Sequence, residues 1–155
     1  MWLRFSASWQ INARAIHIHS KGPQNMTLSI SLFSYLVDDY DRAIQYFTGV
    51  LGFELVEDTD RGGDKRWVVV APERNSSPRL LIAQAVGERQ IGAIGNQFGG
   101  RVGLFLETDD FNKTYKKLLA NGINFTEEPR HESYGTVAVF EDLYDTRWDL
   151  IEYAK

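Results

Sequence analysis

From Thr27 to the C-terminus the chain can be read twice at an offset of 71 residues, and this internal duplication limits the possible folds more than any other feature of the sequence. In the first reading Leu28, Ile30, Leu32, Ser34 and Leu36 alternate with Ser29, Ser31, Phe33, Tyr35 and Val37. This is a period-two strand with two mostly apolar faces. Asp38-Asp39 ends it and can cap a helix, in which Tyr40, Ile44, Phe47 and Leu51 fall at i, i+4, i+7 and i+11 as one apolar stripe. Gly52 supplies the left-handed position that closes such a helix. In the second reading a strand over 101–107 leads to Asp109-Asp110, then Phe111, Tyr115 and Leu118 at the same spacing, then Gly122. A short strand follows each glycine, over 53–57 and 123–127, now offset by 70.

Two further strands complete each half, over 67–71 and 80–84, then over 137–140 and 147–153. Turn residues separate them at Arg61-Gly62-Gly63-Asp64, Asn75-Ser76-Ser77-Pro78, Tyr134-Gly135 and Tyr144-Asp145. Each half is therefore strand, helix, three strands, an α+β arrangement. We place one domain at residues 27–155, with module one at 27–87, a glycine-rich linker at 88–100 expected to be mobile, and module two at 101–155. A chain of 155 residues with 43% hydrophobic content suffices for one core.

Residues 1–26 differ from the rest and are read as an appendage outside the fold. Up to position 37 the chain carries Arg4, Arg14 and Lys21 and no acid, so the remainder holds 14 basic against 21 acidic side chains, a net −7 that would repel a nucleic-acid backbone. The appendage fits a transit peptide, or an upstream extension of the reading frame with Met26 as the working start. His17 and His19 would share a strand face there, without a third ligand. No apolar run reaches the length of a membrane span. The absence of cysteine excludes disulfides, thiolate zinc sites and a cysteine nucleophile, and fits the cytoplasm. No phosphate-binding glycine motif or serine-nucleophile elbow occurs.

The stretches Val37-Asp38-Asp39-Tyr40-Asp41-Arg42-Ala43-Ile44, Leu51-Gly52-Phe53-Glu54-Leu55, Asn121-Gly122-Ile123 and Glu141-Asp142-Leu143-Tyr144-Asp145 resemble the vicinal oxygen chelate superfamily, which includes glyoxalases, bleomycin-resistance proteins and extradiol dioxygenases. The resemblance implies two βαβββ modules forming curled mixed sheets around a cleft, usually in a homodimer. It also implies, in metal-dependent members, ligands near the middle of the first and last strands of each module. Those positions match Leu32 and Gly103 on the first strands, with Arg79, Leu81 and Ala83 on the fourth strand of module one and Asp149 on the last strand. Only Asp149 among these is a usable ligand. His131 falls in a loop, off the core strands. We therefore expect no zinc, nickel or iron site and no other cofactor, with a weak magnesium or calcium site at Asp149 with Glu107 as the remaining metal option.

The resemblance turns Ser34, Arg101, Glu107 and Asp149 toward the cleft, with Trp67, Tyr134 and Trp148 as candidate walls. We take Ser34, Trp67, Arg101, Glu107, Tyr134 and Asp149 as the ligand-binding set for a small polar or aromatic molecule. The alternative for Arg101 and Arg147 is cross-strand pairing with Glu107 and Asp149, and for Trp67 and Trp148 it is burial in the core. Three functional classes remain open at this point. They are a metal-free small-molecule binder, a lyase, isomerase or dioxygenase with atypical metal ligands, and a structural dimer module.

Overall fold

In a computed structural model the described residues are 27–155, so the basic N-terminal segment with His17 and His19 lies outside them. Strand β1 (Leu32–Val37) leads into helix α1 (Tyr40–Gly49), and strands β2 (Glu54–Gly62), β3 (Lys65–Ala71) and β4 (Arg79–Gln84) follow. A short helix α2 (Gly87–Ile91) opens the linker. The second module runs through β5 (Leu104–Glu107), α3 (Phe111–Ala120), β6 (Asn124–Phe125), β7 (Arg130–Glu132), β8 (Gly135–Glu141) and β9 (Arg147–Tyr153).

The helix ends follow from local chemistry and repeat with the sequence. The Asp39 carboxylate accepts from the Arg42 backbone N–H at 2.8 Å, and Asp110 does the same for Lys113 at 3.0 Å. At the other ends Gly52 and Gly122 adopt φ of 77° and 86°. That left-handed step lets Phe53 N–H reach the Phe47 carbonyl and Ile123 N–H the Leu118 carbonyl. The Gly62–Lys65 hairpin closes through Gly63 and Asp64, both at positive φ, as a tight two-residue turn between twisted strands requires.

The sheets have orders β1-β4-β3-β2 and β5-β9-β8-β6, and β7 also pairs with β8. In each, the first strand lies parallel to the last: Ser34 pairs with Leu81 and Phe105 with Asp149. The first and last strands of the two halves thus share one register, in which Leu32 and Arg79 correspond to Gly103 and Arg147. The expectation for His131 needs correction. Residues 130–132 are a strand, so His131 sits on a β7–β8 ladder, exposed, with Nδ1 3.0 Å from Thr136 Oγ1. The linker, expected to be mobile, hydrogen-bonds to β1 through Gln97. Gln97 accepts from Leu36 N–H at 2.8 Å and donates to the Ser34 carbonyl at 3.0 Å, pairing with the open edge of β1 as a neighbouring strand would.

The helix-facing sides of both sheets share one core. Tyr35, Val37 and Phe47 from module one join Phe140, Trp148 and Leu150 from module two. Trp148 is 3% exposed and its ring lies 5.8 Å from Phe140 and 6.3 Å from Phe47. The candidate role of Trp148 as a cleft wall is therefore wrong; alternation along β9 sends it to the opposite face from Asp149.

A buried carboxylate ties the modules together. Asp142, in the β8–β9 turn, accepts from Tyr35 Oη across the module boundary, from Trp148 Nε1 at 2.8 Å, and from the backbone N–H groups of Tyr144 at 2.9 Å and Thr146 at 3.1 Å. Burial pushes this carboxyl above the usual aspartate range, against the pull of those donors. Tyr144 Oη donates in turn to Asp38 at 2.9 Å, a second polar tie between modules.

Candidate functional site

Because the core is shared, the residues that alternate away from it form one outward face on each sheet. On the first sheet Leu32, Ser34 and Leu36 project outward from β1, with Arg79 and Leu81 from β4 and Trp67 and Val69 from β3. Ser31, Leu32, Val56, Glu57, Trp67 and Arg79 line a hollow of about 230 Å³ there. The Arg61 guanidinium lies 5.9 Å from the Trp67 ring centroid, so one face of the indole is already occupied by a cation.

The second sheet carries the larger hollow, about 630 Å³, lined by Arg101, Phe105, Glu127, Val139, Arg147 and Asp149 among others. Phe105 is 62% exposed in its middle. Arg147 Nε lies 3.2 Å from Glu141, and Glu127 accepts from Arg130 at 2.8 Å. The expected pairings of Arg101 with Glu107 and of Arg147 with Asp149 are thus not the ones made. Among the described residues Arg101 and Asp149 have no ion-pair partner at all. Asp149 Oδ1 is buried and accepts no hydrogen bond. Burial pushes the Asp149 carboxyl up, partly offset by Arg130 nearby.

The six residues chosen from sequence do not meet in one hollow of a single chain. Arg101 and Asp149 are brought together on the second sheet. Ser34 and Trp67 stand on the outward face of the first. Glu107, at the end of β5, opens onto a different hollow with Asp109 and Glu152. Tyr134 is half-exposed just before Gly135 at the start of β8, with its carbonyl held by Ala154 N–H. Sequence reasoning missed Phe98, which belongs to no periodic segment. A Cβ built on Gly103 would lie 2.1 Å from the Phe98 ring, so that ring fills the space a side chain at position 103 would occupy. Gly95 holds the same segment against the Tyr144 carbonyl, only 2.0 Å from where its own Cβ would be.

Of the positions that the resemblance matches to metal ligands, Asp149 alone carries a ligating side chain. Leu32, Leu81 and Gly103 have no donor atoms, and at Gly103 an aromatic ring stands where a ligand would project. Among the described residues no three His, Cys, Asp or Glu side chains come together as a metal site. Asp149 and Glu107 are also not cross-strand partners: Asp149 pairs with Phe105 and Glu107 with Ile151.

A βαβββ module and a second like it, with its second strand broken into β6 and β7, each with its first strand parallel to its last, define a class of paired-module proteins with open sheet faces. Residues 29–150 match the Glyoxalase/Bleomycin resistance protein/Dioxygenase superfamily, and the chain belongs to it. A protein of Shewanella frigidimarina is 48% identical over 128 residues, covering 82% of this chain and 95% of its own. YetH of Bacillus subtilis is 30% identical over 120 residues, covering 76% and 92%. Among solved structures UcmS2 superposes with TM-score 0.71 at 26% identity, covering 81% of this chain and 98% of its own. TnmS3, an antibiotic binding protein from Streptomyces sp. CB03234, superposes with TM-score 0.66 at 26% identity, covering 83% and 99%. Among the described residues no helix is long and apolar enough to cross a membrane.

Proposed function

We propose that this protein binds a small, polar-substituted aromatic molecule on the outward faces of its sheets, without a metal ion or other cofactor. In this reading it acts in the cytoplasm as a homodimer, in which a second copy supplies the facing wall. The observation that carries the reading is the face of the second sheet: an exposed aromatic ring beside an arginine and an aspartate that form no ion pair among the described residues, where the position matched to the module's first metal ligand holds glycine. A carboxylate that lines a hollow without a protein donor beside an exposed ring is a group that a ligand's N–H or O–H can engage. The dimer is supported by how open each half-site is, since the hollows on the two sheets share no residue. The fold neighbour named as an antibiotic binding protein supports binding over catalysis.

The test is a thermal-shift screen of the full chain against aromatic acids, phenols, amines and planar antibiotics, in EDTA and again with Mn²⁺ or Ni²⁺. A ligand that binds only the folded state raises Tm. Compounds that shift Tm equally in EDTA are the expected result; shifts seen only with the metal would reverse the reading. Sedimentation equilibrium at twice the chain mass is expected, and the monomer mass would remove the partner wall.

A further inference from the structure

We infer that the second sheet's hollow takes an amphoteric aromatic ligand, one carrying a hydrogen-bond donor and an anionic group on the same flat ring system. This rests on the small-molecule reading above and names its ligand class. The inference comes from charge accounting within one hollow. Four charged side chains line it: Arg101, Glu127, Arg147 and Asp149. Glu127 is engaged by Arg130, which Glu132 also holds at 2.7 Å, and Arg147 is engaged by Glu141. Among the described residues, one group of each sign remains unmatched. The two do not neutralise each other, because they form no ion pair although they line the same hollow.

Their environments make the remainder selective. Asp149 lines the hollow, and among the described residues no donor reaches its carboxylate; Oδ1 is shut off from water, so a ligand group that meets the other oxygen must bring an N–H or O–H. Arg101 sits in the turn just before β5, exposed, with its planar fork of donors free for a carboxylate or similar anion. The exposed Phe105 ring lies directly across the β5–β9 ladder from Asp149 and offers a stacking surface for the ring that carries both groups. In the first module the residue matching Asp149 is Leu81, and the one matching Phe105 is Ser34. The recognition elements therefore belong to one half of the duplication only, and Asp149→Leu merely restores the pattern that the other half folds with.

The experiment measures the affinity of the full chain for 4-hydroxybenzoate, benzoate and phenol by ligand-observed NMR. 4-Hydroxybenzoate carries both groups, benzoate only the anion and phenol only the donor. It is expected to bind at least tenfold tighter than either, since a site built around a donor or acceptor discriminates strongly against the analogue that lacks it. Asp149→Leu is expected to reduce 4-hydroxybenzoate to the affinity of benzoate, and Arg101→Met, on an exposed turn where folding is not at stake, to that of phenol. The inference is overturned if the three probes bind within threefold of each other, if neither substitution changes their ranking, or if none binds while the thermal-shift screen finds other ligands. In each of those cases small-molecule binding itself survives. If the screen too finds nothing, both readings fall together.

Discussion

Replacing Asp142 with alanine strikes the contact on which the joining of the two modules most depends. The substitution strips the acceptor from four donors at once: the Tyr35 hydroxyl, the Trp148 indole N–H, and the backbone N–H groups of Tyr144 and Thr146. Tyr35 and Trp148 are fully within the core, so their polar atoms have little access to water. A buried donor left without a partner costs about 1–3 kcal/mol. Water entering the vacated space can satisfy the two turn amides, which leaves two full penalties and a net loss of about 4 kcal/mol. Against a total stability of about 5–15 kcal/mol for a domain, that is a large fraction. At about 3 °C per kcal/mol for a chain of this size, Tm should fall by about 12 °C. Urea denaturation of the wild type, Asp142→Ala, Tyr35→Phe and the double variant measures it. Tyr35→Phe alone should cost about 1 kcal/mol, because Asp142 keeps its other three donors, and the double variant should cost clearly less than the sum. A loss below about 1 kcal/mol for Asp142→Ala, or strict additivity with Tyr35→Phe, would refute the reasoning.

Other consequences follow from single contacts. Gly103→Ala puts a methyl group into the Phe98 ring and should cost about 1–3 kcal/mol, but much less in a Phe98→Ala background; equal costs in both backgrounds, read from urea midpoints, would mean that Phe98 does not fill that space. The Arg66 guanidinium, with Nε 3.0 Å from Asp58 Oδ1, holds the Asp58 carboxyl below its ordinary value of 3.8. A depressed carboxyl contributes stability that is fully present above the unfolded pKa and lost as pH falls through the folded one. Asp58→Asn should therefore cost about 1 kcal/mol at neutral pH, and its difference from wild type should shrink as the pH is lowered below about 4. A gap that stays constant down to pH 2 would contradict the pairing. Trp148→Ala should cost about 3–5 kcal/mol as a core deletion, whereas Trp67→Ala, on the outward face, should cost far less and change ligand affinity instead; urea midpoints and calorimetry separate the two outcomes.

The duplicated framework was legible because its signals are local. Aspartates before the helices, glycines after them and the two periodicities each act within a few residues, so Asp39, Asp110, Gly52 and Gly122 could be assigned from spacing alone. Strand alternation also told Trp148 from Asp149, and treating both as cleft residues ignored it. What depends on long-range packing was not legible. Asp142 reads as an ordinary turn residue until Tyr35, 107 positions earlier, is seen to donate to it. Phe98 lies in a glycine-rich stretch with no period, and only its seat over Gly103 reveals a role. The same holds for the site. The resemblance places Ser34, Arg101 and Asp149 toward one cleft with Trp67 as a wall, but the shared core puts Ser34 and Trp67 on one sheet face and Arg101 and Asp149 on another. Glu141 faces Arg147 directly across the β8–β9 ladder, which shows only once the register of those strands is known, and Glu127 meets Arg130 three residues on, in the break between β6 and β7.

The central claim is that ligand meets this protein on its outward sheet faces and does so without a metal ion. The most direct measurement is a backbone amide chemical-shift map of the full chain in EDTA, titrated with the tightest compound from the thermal-shift screen. The largest changes are expected around Phe105, Val139, Arg147 and Asp149, with weaker ones near Trp67 and Arg79 if a second copy brings that wall into place. Changes confined to other surfaces, or changes that appear only after a divalent metal is restored, would contradict it.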